Sequence, residues 1–383
     1  MSPRHLVSVV VTVALSSIAA ATACGVDVSI DDGGSSGTSG TSGASGTSGT
    51  GGTSGATGTS GTSGTGGTSG ASGTSGGDGA TEEVVELAIT RGMNAFAVGS
   101  GVIALATSTS GLRVCAAPDC PASIGASNPP AGAATAVAYH GGKFYAIIGD
   151  QLRRCTPSTA PANLDCADSV KIEARLTGGK WLRVDSQSAV WLSGGELHWT
   201  SVATTAGPQS IIVVSLGGIA LTADRLVYSA QAPGRLVKLE QVAATASTGT
   251  AAGDLVLASG DLVEPNAIAL DPNELFAVVR GSSTTPDGYV LRCGAAGNGC
   301  IGGSTRPIQS LAQPQGLAVD ATSLFVSETG ANRVRRAPRV GGPATTIAST
   351  IPKPMEIVVD DTYAWVVGYP GGDTTLYRVK KQP

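Results

Sequence analysis

The sequence predicts an all-β fold, a seven-bladed β-propeller, on three observations. A unit recurs seven times, with starts at Asn94, Thr135, Lys180, Gly217, Asn266, Gln315 and Met355. The steps between starts run from 37 to 49 residues, which suits about four short strands and their turns. The first 14 positions of each copy share one gapless pattern in which bulky and small apolar residues alternate. The composition agrees: 55 glycines and only 14% charged residues suit a turn-rich, helix-poor chain.

Two segments precede the first copy. Residues 1–23 read as a secretory signal peptide. Arg4 and His5 make a weakly basic start, and Leu6–Ala23 is apolar but softened by Ser and Thr, without the continuous apolarity of a membrane span. Residues 24–81 hold Cys24 and a Gly/Ser/Thr-rich linker. Between Gly33 and Gly79 no apolar side chain exceeds Ala, too little to offset the entropy of ordering. Such a coil spans roughly 35–40 Å r.m.s.. The propeller is expected over residues 82–383, ample for one large core.

Within each copy, column three is bulky: Phe96, Val137, Leu182, Ile219, Ile268, Leu317 and Ile357. Column five is likewise Val98, Tyr139, Val184, Leu221, Leu270, Val319 and Val359, while column four is Ala in five copies. Side chains alternate across a strand, so each blade has a large face and a small one, and neighbours can nest. Neither face is polar, which argues against a sandwich with solvated sheets. Column six is Asp185, Asp271, Asp320 or Asp360 in four copies, and Asp271-Pro272-Asn273 is good turn chemistry. Third strands carry arginines (Arg113, Arg153, Arg292, Arg335, Arg378) expected to cover the outer rim. The last copy runs out of chain after its third strand, Leu376 to Lys380. The orphan segment Val84–Ile89 is therefore predicted to supply its fourth strand and close the ring.

Six cysteines fall into close pairs, Cys115 and Cys120, Cys155 and Cys166, Cys293 and Cys300. The first of each pair ends a similar strand (LRVC, LRRC, VLRC), so the pairs read as local disulfides, each contributing about 2 kcal/mol on a chain-entropy model. Metal binding is the rival reading, but no Cys-x-x-Cys spacing and no adjacent His supports it.

Ala21-Thr22-Ala23-Cys24 resembles a bacterial lipobox with Ala where Leu is usual, and it equally satisfies the small-x-small rule of ordinary signal peptidase. The resemblance implies lipid, palmitate included, on Cys24. Gly25 in place of Asp points, by likeness to Gram-negative lipoproteins, to the outer membrane, facing the periplasm or the surface. Copy six, Pro314 to Arg336, resembles an NHL repeat at Pro314, Gly316, Ala318, Val319, Asp320, Val326, Gly330, Asn332 and Arg333. Copy five is a fair match. NHL propellers commonly have six blades, so a six-bladed ring is the alternative. The family includes protein- and RNA-binding modules and a few lyases, and it implies a fold and no particular activity.

Catalytic signatures are scarce. Gly-x-Ser-x-Gly occurs only in the linker, and neither a zinc-protease His-Glu pattern nor a phosphate loop is present. Columns one and two should ring the channel mouth, where Asn94, Asn266, Gln315 and Glu356 stand. Propeller lactonases of the gluconolactonase type resemble this, and imply Ca²⁺ on Asn94, Asn266 and Glu356. The plainer reading is that these residues hydrate the channel and cap strands. Copy three gathers Trp181, Trp191, Trp199 and His198, with Arg183 in the column-four place, either a sugar or peptide site or space-filling. Loops Arg280–Gly288 and Tyr369–Asp373 should share the mouth's face.

A net charge of −4 without a Lys/Arg block argues against nucleic acid as partner. The expectation is a monomeric, cofactor-free, non-catalytic lipoprotein of the bacterial envelope, binding an envelope or extracellular protein or a glycan. A hydrolase or lyase with a divalent metal in the channel is the competing class, and a purely structural envelope protein the third.

Overall fold

The computed structural model describes residues 83–381 apart from short stretches, the longest being 167–178 and 241–251. The signal, Cys24 and the linker lie outside the described residues. Within them there is no helix, and the strands form seven four-stranded antiparallel sheets. The innermost strands are Met93–Gly99, Ala134–His140, Lys180–Val184, Leu216–Thr222, Pro265–Leu270, Pro314–Val319 and Ile357–Val359. Each begins at or within two residues of a repeat start. Six sheets are built from consecutive strands. The seventh takes Val84–Leu87 as its fourth strand, paired antiparallel to Thr375–Lys380 with Val84 opposite Val379 and Leu87 opposite Leu376. Ala88 and Ile89 of the predicted closing segment lie outside the described residues.

The alternating columns explain how the sheets meet. Apolar clusters each join two consecutive sheets, from the first and second through to the sixth and seventh. In these clusters Val137, Leu182, Ile219, Ile268, Leu317 and Ile357 of column three lean on the preceding sheet. Ala97, Ala138, Ala220, Ala269 and Ala318 of column four face the following one. A bulky face thus seats on a small face at one interface after another, so the core is a series of interfaces. The last sheet meets the first through Thr374, whose hydroxyl lies 3.5 Å from the Met93 carbonyl, and Arg378, which pairs with Asp119 at 2.5 Å.

Turns between first and second strands come in two chemistries. In the first two sheets Ser100-Gly101 and Gly141-Gly142 have positive φ at both residues, the geometry of a tight type I′ hairpin. In sheets three, five, six and seven the column-six aspartate takes over. Oδ1 of Asp185, Asp271, Asp320 and Asp360 each accepts two backbone amides, two and three residues on, at 2.6–2.9 Å. Pro272 lies outside the described residues. Two of these turns also tie elements together. Asp271 and Glu274 both receive Arg339 from the sixth sheet, and Lys381 Nζ reaches Asp320 at 2.7 Å.

Burial acts to raise the pKa of Asp320, but the Lys381 ammonium and the Thr322 and Ser323 amides outweigh it and hold the carboxyl below its ordinary value. At Asp271 burial is likewise outweighed, by the Asn273 and Glu274 amides and Arg339. A carboxyl with a depressed folded pKa contributes stability that is present above the unfolded pKa, about 3.9, and lost as pH falls through the lower folded value. Melting temperature is therefore expected to drop below about pH 4, and to drop less in Asp320→Asn. Thermal melts of both proteins from about pH 7 to about pH 3 check this; identical acid slopes would refute it.

The three cysteine pairs are disulfides, Cys115–Cys120, Cys155–Cys166 and Cys293–Cys300. Each ties a third strand to the segment that follows. The third-strand arginines are only partly at the rim: Arg378 is 8% exposed and held between Asp119 and Glu83, and Arg292 pairs with Glu274.

Candidate functional site

One cavity of about 380 Å³ is lined by residues from the innermost strands of all seven sheets. It is the central channel, and two ends can be told apart by sequence column. At the starting end stand Asn266, Gln315, Glu356 and Trp181; towards the other end the walls are column-five residues such as Val98, Val319 and Tyr139. Tyr139, a channel residue that sequence reasoning passed over, bonds Ser100 at 2.7 Å. Its only sequence signal is one aromatic in an otherwise aliphatic column.

The starting end is shaped by β-bulges. Six of the seven innermost strands slip register at or just after their first residue. A bulge leaves a residue out of the ladder and re-aims its side chain. Bulged column-one residues then reach sideways to the next sheet: Asn94 Nδ2 donates to the Ala134 carbonyl at 2.8 Å, and Asn266 Nδ2 donates to Gln315 Oε1. Serines in column thirteen add to this ring. Ser229 Oγ donates to the Asn266 carbonyl at 2.8 Å, and Ser327 Oγ donates to the Met355 carbonyl. Gly316 is needed here, because a Cβ would meet the Met355 carbonyl oxygen at 2.1 Å.

The predicted mouth residues are thus partly brought together. Asn266 (4% exposed), Gln315 (5%) and Glu356 line the channel. Asn94 is not among its lining residues and is spent on the bridge to the second sheet. The oxygen set Asn94, Asn266 and Glu356 therefore does not converge, and the residues present do not fit the Ca²⁺ implied by the lactonase resemblance. Among the described residues no group of three or more His, Cys, Asp or Glu side chains could hold a metal ion.

The predicted cluster of the third sheet divides by strand. Trp181 and Arg183 lie on the innermost strand and line the channel. Trp181 has φ +53°, costly for a bulky side chain, and its indole leans on the cluster joining the third and fourth sheets. Trp191 and His198 are a cross-strand pair of the second and third strands, stacked at 5.5 Å and both buried. They are core. Arg183 donates from Nη1 to the Leu182 carbonyl at 3.1 Å. Glu356 is part-buried on the channel wall; burial pushes its carboxyl up, and the Arg183 charge opposes this.

Both predicted loops border the starting end. Arg280 pairs with Glu264 at 2.9 Å and the Ser283 carbonyl accepts from Gln313 at 3.0 Å, both partners lying just before innermost strands. Tyr369 donates its amide to the Pro352 carbonyl at 2.8 Å.

No protein-family model matches the chain, and no curated protein does. Among solved structures, that of a streptogramin B lyase aligns with a TM-score of 0.55 at 10% identity, covering 78% of this chain and 98% of that one. The fold is a β-propeller. At that identity the likeness shows the fold alone. A computationally designed protein, Ika8, aligns with a TM-score of 0.48 at 10% identity over 78% of this chain and 100% of its own. BamB from Moraxella catarrhalis aligns with a TM-score of 0.45 at 13% identity over 76% and 84%.

Proposed function

We propose that the chain is an exported lipoprotein of the bacterial outer membrane, anchored through Cys24, whose seven sheets form one seven-bladed, NHL-like ring that serves as a binding module. The observation that carries this reading is the channel's starting end. Five of the seven innermost strands line it with their first residues, Asn266, Gln315 and Glu356 among them, and two long loops border it. Propellers present such a face on a rigid scaffold, where binding residues concentrate. Three disulfides among the described residues accord with an oxidising compartment. The long tether would give the module reach from the membrane surface.

The experiment is photo-crosslinking in cells making the full chain, with a photoreactive phenylalanine in place of Val263 or Ser283 at the starting face, or of Val340 at the opposite face. Val263 and Val340 are 53% and 75% exposed, so both can reach a partner. Discrete adducts are expected from the first two positions and none from the third. The Cys24→Ser chain should leave the membrane fraction and lose those adducts. Adducts from Val340 alone, or from no position, would refute the binding face.

A further inference from the structure

Resting on the binding-module reading, we propose that the channel itself is a site for a small organic carboxylate, with Arg183 as the group that takes the anion and Trp181 as the wall for its carbon body.

Arg183 stands where the other sheets place Ala or Val: Ala97, Ala138, Ala220, Ala269, Ala318 and Val358. Four of those positions, Ala97, Ala138, Ala318 and Val358, also line the cavity, so one guanidinium stands among small apolar side chains. A guanidinium has five N–H donors, and among the described residues Arg183 has one hydrogen bond, to a backbone carbonyl. No carboxylate of the described residues lies within 4.0 Å of it. Glu356 is close enough to feel its charge and is not in contact. Arg183 is part-buried on the channel wall with N–H donors to spare, and its planar fork matches a carboxylate in bidentate fashion. Trp181 is held against the channel by a backbone conformation that a bulky residue adopts only at a cost, and its indole face suits an apolar or aromatic body. About 380 Å³ is the size of a small-molecule pocket.

The test is saturation-transfer NMR and calorimetry on the folded full chain with phenylacetate, 2-phenylethanol, 2-phenylethylammonium and inorganic phosphate at millimolar concentration. Phenylacetate is expected to bind, the alcohol and phosphate at least about tenfold more weakly, and the ammonium not at all. Arg183→Gln should weaken phenylacetate by about tenfold or more and Arg183→Lys by less, since a point charge keeps attraction without the fork. Glu356→Gln should leave binding intact or tighter. Unchanged melting temperatures certify the folds; should Arg183→Gln not fold, Arg183→Lys and Trp181→Phe carry the comparison. Preference for the ammonium, equal binding of phosphate, or unchanged phenylacetate affinity in a folded Arg183→Gln would each overturn the proposal. So would binding of none of the four probes, which leaves the crosslinking result on the starting face standing or falling by itself.

Discussion

A chain beginning at Ala88 is expected to melt roughly 6 °C below one beginning at Glu82. The difference between the two is the strand Val84–Leu87 and the Glu83 that precedes it. Leu87 is 3% exposed, and Val84 packs on the cluster joining the sixth and seventh sheets. Full burial of one Leu and partial burial of two Val contribute roughly 4 kcal/mol together. The ion pairs of Glu83 with Arg378 and Lys380, both at 3.8 Å, add little because Glu83 is largely exposed. Loss of the strand also bares the edge of Thr375–Lys380 to solvent and to other chains, so the shorter chain should associate. Calorimetry and light scattering on both proteins make the measurement, and a synthetic peptide of residues 82–89 should restore part of the lost stability. Equal melting temperatures would show that the ring does not depend on this strand.

That closure was legible because it follows from counting: the last copy lacks a fourth strand and one apolar segment has no copy. The nesting columns were legible for a related reason. A bulky face on one sheet requires a small face on the next, and seven repetitions make Ala97, Ala138, Ala220, Ala269 and Ala318 stand out. The site was less so. Asn94 and Asn266 occupy the same column, yet one bridges two sheets behind the wall and the other lines the channel. What separates them is backbone register at a bulge, which leaves no mark in residue type. Trp181, Trp191 and His198 looked like one cluster since they are near in sequence. Strand position decides instead, putting the first in the channel and the other two in the core between sheets.

Glu328→Ala is expected to cost roughly 3–5 kcal/mol, more than any single turn aspartate. Glu328 ends the second strand of the sixth sheet and is 0% exposed. Its Oε2 accepts the Ala312 amide at 2.7 Å and Arg333 Nη2 at 2.9 Å, its Oε1 accepts Arg333 Nε at 2.8 Å, and Arg335 lies 3.8 Å away. Removing the carboxylate strands a backbone amide and a guanidinium that were placed for it, and stranded partners are what make breaking a buried pair expensive. The structure also gives roles to three neighbouring residues of copy six. Arg333 answers the carboxylate, Gly330 fits against the Ala312 carbonyl where a Cβ would sit at 3.1 Å, and Asn332 at φ +51° caps the Lys353 amide. Glu328→Gln should cost less, since an amide oxygen still accepts from Ala312. The double change Glu328→Ala/Arg333→Ala should be less damaging than the sum of its parts, because Arg333 is one-third exposed and its removal leaves no cation searching for a partner. Urea midpoints of the four variants decide the matter. Strict additivity in that cycle would mean the pair is a bystander and the amide of Ala312 carries the whole effect.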